Sequence, residues 1–502
     1  MEFRKSIATA FLFLLMTAGA QAQAVRYDAS PAGDVSAPPP SVLTLRIDPA
    51  GPWAIVRKTD GGAFQTSGTM YLYQDGAMLT SVGQSAGVYS ITIPFSWNFT
   101  SGRHGFYVRS SNNAYNSATV TVTAKQAYKV GIVLFRHQRT IWDVRQDLDM
   151  INAKIAAYRP HRVSGTREAD LVVELEVPWN ETETAPGVYD FTFYQDFARA
   201  CEEKGIKWTP LLSPHYVPPH IAQRYSGDRI TDMQWQVVDH PFLKFSPSSA
   251  VWGSETAAWA RAFIRAMAYD GGRNHFGRYA AIEEVLIGNE MMYPTGTLTS
   301  RDSASTTVWS RQYPGAVYPT TLTTTFRTFR AEQLSYAINA MMVAVKGELS
   351  SAGAQATGVS SKLYPYYFPR TGDSLNDRFA GYTDPSLSFL NSNFKGLFAM
   401  DMYPKPQNAG CGPWYYTNDY AAAQQRTTKP LYVAEFNAPK ESCSYYVLSR
   451  SEVSNVAISG FQSYNVRAFV FYAYNPNGTG VIYQANDNQL GGLADALNWI
   501  VP

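Results

Sequence analysis

Two glutamates follow apolar stretches that are typical of buried β-strands. Glu290 follows the stretch VLIGN, and Glu435 follows the stretch LYVA. A buried strand is a rigid support, so each carboxyl group should be held in a fixed position at the end of its strand. Such a pair has the chemistry that glycoside cleavage needs, because one carboxylic acid protonates the leaving oxygen while the other attacks or activates water.

An alternation of strand-like and helix-like segments begins at Tyr128 and predicts the elements that position these glutamates. The strand-like segments are YKVGIVLFR, LVVELEVPW, KWTPLLSP, IEEVLIGNE, ATGVSSKLYPYYF, GLFAMDMYP, LYVAEFNAP and VRAFVFYAY, with amphipathic helical segments between them. Eight strands that are each joined to a helix predict an α/β fold of the (β/α)₈ TIM-barrel type. A doubly wound sheet is disfavoured, because no glycine-rich phosphate turn follows the first strand.

The carboxyl ends of the predicted strands are rich in polar and aromatic residues. In a TIM barrel these ends carry the functional groups, whereas a purely structural barrel has no need of such side chains there. Besides the catalytic candidates Glu290 and Glu435, we therefore expect substrate-binding roles for Arg136, Trp179, His215, Asn289, Tyr403, Tyr472 and Tyr474, and for Trp414 in a nearby loop.

The N-terminal quarter of the chain has a different character. Residues 1–22 combine a basic start, an apolar stretch and a small-x-small cleavage site, which predicts a signal peptide and an exported protein, periplasmic or extracellular. Residues 23–40 are rich in Pro, Ala and Ser and indicate a linker. Short alternating runs over residues 41–125 predict a small all-β, immunoglobulin-like sandwich domain. The catalytic barrel domain then covers residues 126–502.

Composition and cysteine usage exclude several classes of function. The net charge of +2 gives no electrostatic footprint for nucleic acid, and no other apolar run is long enough to span a membrane. Cys411 and Cys443 fall in loops predicted on one face of the barrel, after neighbouring strands, and we expect a disulfide between them, while Cys201 is expected to be a buried free thiol. No CxxC or HExxH spacing indicates a metal site, and the expected chemistry needs no cofactor. Nothing in the sequence indicates an oligomeric state.

Two of these strand ends resemble a known group of enzymes. Asn289-Glu290 after the fourth strand and Glu435 after the seventh resemble the signature of glycoside hydrolase clan A, the retaining (β/α)₈ hydrolases that include β-galactosidases, cellulases, mannanases and xylanases. The stretch VPWNETETAPGVYDFTFYQDFARACEEKGIKWTP is similar to the second repeat of that clan, and the resemblance extends from residue 128 to about residue 490. It implies that Glu290 is the general acid/base and Glu435 the nucleophile.

The resemblance also implies roles for four neighbours. Asn289 would bind the sugar 2-hydroxyl, and Tyr403 would hydrogen-bond the nucleophile. Tyr472 or Tyr474 occupies the place where the clan usually has a tryptophan platform, so the sequence departs from the clan there. Arg136 is a further candidate for orienting the nucleophile, although the clan's arginine is often on the second strand.

Three functional alternatives remain open from the sequence. The leading one is an O-glycoside hydrolase that cleaves β-linked oligo- or polysaccharide with retention of configuration. The stretch GNEMMYP from Gly288 to Pro294 also resembles the acid motif of the β-amylase family, whose members invert configuration and act on α-glucans. Carboxyl groups about 5–5.5 Å apart indicate retention and about 6.5–9.5 Å apart inversion. A carbohydrate-binding barrel without catalytic activity is the third alternative.

Overall fold

The computed structural model describes most of the region predicted as the barrel and parts of the N-terminal region. The described residues are 25–28, 43–47, 53–58, 69–74, 76–82, 91–94, 102–111, 120–134, 136, 139–154, 162–164, 167–241, 243–277, 280–289, 291, 293, 299–354, 356, 358–362, 398–403, 416–427, 429–437, 448–472 and 487–501. Contacts divide the chain into two compact units. One holds the residues up to Tyr128 with Val163–Glu168, and the other holds Lys129–Arg162 and Ala169–Ile500.

The N-terminal unit consists of antiparallel strands. One sheet contains Leu43–Ile47, Trp53–Lys58 and Ile91–Pro94. A second group contains Met70–Gln74, Ala77–Val82 and Gly102–Ser110, and the last of these pairs with the start of Val120–Leu134. Val25–Asp28, within the segment predicted as a linker, also forms a strand that pairs with residues 123–126, because Val25 and Tyr27 favour extended backbone. The immunoglobulin-like sandwich stays a prediction.

The second unit holds most of the eight-stranded parallel barrel that the sequence predicts, and the first residues of two barrel strands belong to the N-terminal unit. Its strands are β1 (Val120–Leu134), β2 (Arg167–Pro178), β3 (Lys207–Ser213), β4 (Glu284–Asn289), β5 (Gly358–Lys362), β6 (Phe398–Met402), β7 (Leu431–Phe436) and β8 (Val466–Phe471). Their order around the sheet is β5-β4-β3-β2-β1-β8-β7-β6. The two ends meet where the backbone N–H of Ala399 on β6 donates to the Ser360 hydroxyl on β5, at 3.1 Å. The barrel is therefore nearly closed, and the TIM-barrel prediction is confirmed.

Helices follow the barrel strands and flank the sheet. They are α1 (Ile141–Lys154), α2 (Thr192–Lys204), α3 (Thr256–Ala268), α4 (Thr324–Ser351), α5 (Tyr416–Arg426), α6 (Arg450–Ser463) and α7 (Asp487–Ile500). Local signals set their ends: Gly205 ends α2 in the left-handed conformation, and Ser449 and Glu452 form a capping box at the start of α6. None of the described helices is long and apolar enough to cross a membrane.

The barrel interior is apolar in its middle and charged above and below. One buried apolar cluster collects side chains from seven strands: Val133, Val172, Leu211, Leu286, Ala399, Tyr432, Ala434, Ala468 and Val470. At the amino-terminal end, Lys129 pairs with Glu283 at 2.7 Å and with Glu284, and these charges lie on the side opposite to the expected chemistry. At the carboxyl end the interior becomes charged again, with Glu174, Lys362 and Asp401 fully buried.

The cysteine predictions have different outcomes. Cys201 on α2 is a buried free thiol, as expected, and burial raises its pKa well above the usual value, so the thiol stays protonated and inert. Cys411 and Cys443 lie outside the described residues, and their disulfide stays a prediction.

Candidate active site

Glu435 lies at the carboxyl end of β7, where an irregularity in the sheet directs its side chain. The register between β6 and β7 shifts, so that Met400 pairs with Val433 but Asp401 pairs with Glu435. Tyr432 and Ala434 belong to the apolar interior, and the shift lets the next side chain reach the barrel mouth as well. Only 11% of the Glu435 side chain is exposed.

Each carboxylate oxygen of Glu435 has its own partner. The Tyr403 hydroxyl, just beyond β6, donates to Oε2, which is the contact that the clan resemblance implies. Burial and the charge of Glu435 raise the pKa of Tyr403 well above its usual value, so the phenol keeps its proton and acts as the donor. The ammonium group of Lys362 on β5 contacts Oε1. The carboxylate is therefore fixed from two sides.

Lys362 connects Glu435 with two further buried carboxylates. Its Nζ lies 2.9 Å from Oε1 of Glu174 on β2 and 3.7 Å from Oδ1 of Asp401 on β6. Burial alone would lower the pKa of Lys362, but Asp401, Glu174 and Glu435 outweigh burial and hold it well above the usual value. Burial raises the pKa of Glu174 to about 7 despite the nearby ammonium. Within the described residues, no group of acidic, histidine or cysteine side chains could hold a metal ion.

Another carboxylate, Glu176, lies two residues beyond Glu174 on the same face of β2. The Ser213 hydroxyl at the end of β3 donates to its Oε1 at 2.6 Å, and His215 Nε2 is 3.6 Å from the same oxygen. Burial raises the pKa of Glu176 to about 7 and lowers the pKa of His215 to about 3, so the imidazole is neutral near neutral pH. Glu176 was not among the predicted site residues.

Asn289 is the last residue of β4 and is paired in register with Lys362 on β5. Gly288 precedes it with φ +69°, and a Cβ at Gly288 would lie 2.7 Å from the Met291 sulfur. The side-chain oxygen of Asn289 is buried and finds no hydrogen-bond partner in the part of the chain that the structure describes. This oxygen is therefore suited to accept a hydrogen bond from a ligand hydroxyl. Glu290 lies outside the described residues, and its catalytic role stays a prediction.

The remaining predicted residues have different outcomes. Tyr472 lies beside the site, with its ring edge-to-face with Tyr403 at 6.1 Å. The Arg136 guanidinium pairs with Glu181 at 3.3 Å and stacks on the Phe193 ring, and the cation that contacts Glu435 is Lys362. The predicted candidates outside the described residues are Tyr474 and Trp414.

The Trp179 side chain is packed in the core, so its predicted role in substrate binding is wrong. The side chain is fully buried, its Nε1–H donates to Glu183 Oε2 at 2.6 Å, and its ring stacks on Trp259 at 5.7 Å. A short helix begins at Trp179 immediately after β2 and turns the ring away from the mouth.

The sequence contained a signal for the residues that the prediction missed. In the segment LVVELEVP, Glu174 and Glu176 alternate with apolar residues, and residues two apart on a strand share a face. Because both faces of a barrel strand are buried, two glutamates on one face indicate an interior polar cluster. No comparable pattern identifies Lys362 as the partner of Glu435, because that contact joins strands that are not adjacent.

Known proteins share the fold of this chain. No family model matches the chain, and no curated protein does. Among solved structures, a β-galactosidase from Bacillus circulans sp. alkalophilus is similar with a TM-score of 0.51 at 12% identity, over 74% of this chain and 56% of that one. A β-galactosidase from Rahnella sp. R3 has a TM-score of 0.50 at 12% identity, over 75% and 56%. This chain thus spans just over half the length of each. The likeness supports the barrel fold, and it gives no support to the β-amylase resemblance.

Proposed function

We propose that this protein is an exported glycoside hydrolase that cleaves β-linked saccharides with retention of configuration. One observation carries the proposal: Glu435 lies at the carboxyl end of a barrel strand, held by the Tyr403 hydroxyl on one oxygen and the Lys362 ammonium on the other. A carboxylate with a fixed orientation and a stabilised negative charge is what attack on an anomeric carbon requires. Glu290, which is predicted to lie at the end of the fourth strand, would supply the second carboxyl group.

The reaction has two displacements. The Glu435 carboxylate attacks the anomeric carbon, the bond to the leaving oxygen breaks, and Glu290 gives its proton to that oxygen. Glu290, now a carboxylate, then removes a proton from water, which attacks the anomeric carbon and releases Glu435. Asn289 would hold the 2-hydroxyl during both steps, and Tyr403 and Lys362 would keep Glu435 oriented. No step requires a metal or an organic cofactor.

The sugar is the part of the proposal that the fold constrains least. The two similar structures are β-galactosidases, which makes a β-galactoside the first substrate to test. A screen of 4-nitrophenyl β-galactoside, β-glucoside, β-mannoside and β-xyloside would identify the preferred ring, and NMR of the first product would give its anomeric configuration. Retention supports the nucleophile role of Glu435, and inversion would assign Glu435 as the base that activates water.

The decisive variant is Glu435→Gln, which keeps the shape of the side chain and removes its charge. We expect kcat to fall about 10⁴-fold or more, because no covalent intermediate forms. Glu203→Gln, a surface carboxylate on α2 with an exposed side chain, is the matched control and should keep full activity. A 2-deoxy-2-fluoro glycoside should label the wild-type enzyme on Glu435, detected by mass spectrometry of peptides. Glu435→Gln with only a few-fold loss would refute the proposal.

A further inference from the structure

Glu176 differs from the other carboxylates of the barrel interior in its exposure. The side chain of Glu174 is fully buried, whereas 25% of the Glu176 side chain is exposed at the carboxyl end of the strand. Both side chains are on the same face of β2, and the charges of Lys362 and Glu435 act on both. Glu176 therefore lies close to the Glu435 cluster, and its side chain is more exposed than that of Glu435.

The direct contacts of Glu176 are with neutral groups. Its oxygens interact with the hydroxyls of Ser213 and Tyr216 and face the neutral His215 ring. Among the residues that the structure describes, no lysine or arginine forms an ion pair with Glu176, whereas Lys362 directly contacts Glu174 and Glu435. A partly exposed carboxylate without a cation keeps acceptor capacity, because two oxygens offer about four lone-pair sites. Such a group is suited to accept hydrogen bonds from neutral ligand hydroxyls.

The strand order gives the part of the sugar that would reach Glu176. Around the nearly closed barrel, β4 with Asn289 lies three strands from β7 in one direction, and β2 with Glu176 lies three strands from β7 in the other. The shorter arc between β4 and β7 holds β5 and β6, and Lys362 and Tyr403 from that side contact Glu435. If the anomeric carbon is held between Glu435 and the end of β4, the rest of the ring lies along the longer arc, towards β2 and β3. The ring atoms remote from the anomeric carbon then face Glu176 and His215.

We propose that Glu176, with His215 beside it, binds the 3- or 4-hydroxyl of the pyranose ring and determines which sugars the enzyme accepts. This inference rests on the proposed glycoside hydrolase function. The Glu176 carboxyl group accepts a hydrogen bond from this hydroxyl, and the neutral imidazole of His215 hydrogen-bonds the adjacent oxygen. A ring that lacks the hydroxyl, or carries it in the other orientation, leaves a desolvated carboxylate without its donor and is rejected.

The test is a coupling experiment between one side chain and one hydroxyl group. The kcat/KM values of wild type and Glu176→Gln would be measured on the aryl β-pyranoside that the screen identifies and on its 2-, 3- and 4-deoxy analogues. With the parent substrate and the 2-deoxy analogue, the variant should lose about tenfold to hundredfold. With either the 3- or the 4-deoxy analogue, the loss should shrink to about threefold or less, because the partner hydroxyl is already absent.

Two further variants keep the result interpretable. Glu181→Gln, at a rim carboxylate paired with Arg136, is the matched control and should show wild-type kinetics with every analogue. Glu176→Asp, which keeps the charge but withdraws it by one methylene, should fold normally and show an intermediate loss. Equal losses on all four substrates would overturn the Glu176 inference while leaving the hydrolase assignment intact. A wild type that cleaves no glycoside would overturn both.

Discussion

The ammonium group of Lys362 on β5 contacts the carboxylate of Glu435 on β7 from inside the barrel, and the same group lies 2.9 Å from Glu174 on β2. One buried cation therefore compensates the charges of carboxylates from different strands. A buried carboxylate without a cation carries a large desolvation cost, so the orientation of Glu435 and the stability of the barrel depend on the same amine.

Lys362→Met should damage both stability and catalysis. We expect the free energy of unfolding to fall by about 3–5 kcal/mol, because the carboxylates around Lys362 lose their buried cation. Urea denaturation followed by fluorescence would give this change, and kcat/KM would fall by at least about 10²-fold because the orientation of Glu435 is lost.

A second substitution separates the two effects. In the double variant Lys362→Met/Glu174→Gln, one uncompensated charge is removed, and part of the lost stability should return while activity stays low. Recovery of wild-type kcat/KM in the double variant would show that Lys362 acts only on stability and has no part in orienting Glu435.

The strength of the sequence patterns explains which features could be predicted. The eight barrel strands are short apolar runs between clear helical segments, so the barrel could be predicted. Glu435 and Tyr403 could be predicted as site residues because each lies at or just beyond the carboxyl end of such a run. The contact of Lys362 with Glu435 could not be predicted, because it depends on barrel closure and on the register shift at Ala434, and neither leaves a periodic signal. The prediction for Trp179 was wrong for a related reason. Its position at a strand end predicts a side chain near the barrel mouth, but the short helix that begins there directs the ring into the core.

Tyr403→Phe removes one donor from Glu435 and keeps the ring that packs against Tyr472. A hydrogen bond to a charged group contributes about 1.5–3 kcal/mol, so kcat/KM should fall about tenfold to hundredfold with little change in stability. Tyr420→Phe is the matched control, since that buried hydroxyl on α5 donates to the backbone carbonyl of Val456 on α6. It should lower stability slightly and leave kinetics unchanged. Wild-type kcat/KM in Tyr403→Phe would contradict the role of the tyrosine.

Gly288→Ala tests whether the glycine before Asn289 sets the position of that side chain. Gly288 has φ +69° and its Cβ would lie 2.7 Å from the Met291 sulfur, whereas Gly187 has φ +70° and open space around it. Both changes introduce left-handed strain of about 1–2 kcal/mol, but only Gly288→Ala also forces a clash. We expect Gly288→Ala to cost more stability than Gly187→Ala and to lower kcat/KM about tenfold or more, because Asn289 moves. Equal effects of the two variants on both measurements would argue against this positioning role.

His275 provides a pH-dependent contribution to stability away from the candidate active site. The buried ring lies between Glu202 on α2 and Asp270 in the loop after α3, with both ring nitrogens 2.8 Å from a carboxylate oxygen, and Arg199 also contacts Asp270. Burial alone would lower the pKa of His275, but the hydrogen bonds and charges of Glu202 and Asp270 outweigh burial and raise it. The folded protein therefore binds the proton more tightly than the unfolded chain.

The sign of the pH dependence follows from this raised pKa. The stabilisation by protonated His275 is complete below the unfolded-state pKa of about 6.5 and is lost as the pH rises through the higher folded-state pKa. We expect the urea-derived free energy of unfolding to decline over that window in the wild type, and His275→Gln to remove this part of the decline. Glu202→Gln should make the decline smaller without abolishing it, because the Asp270 carboxylate still contacts the His275 ring. A variant His275→Gln with the same slope as the wild type would assign the pH dependence to other groups, since the ring that carries the proton would be gone.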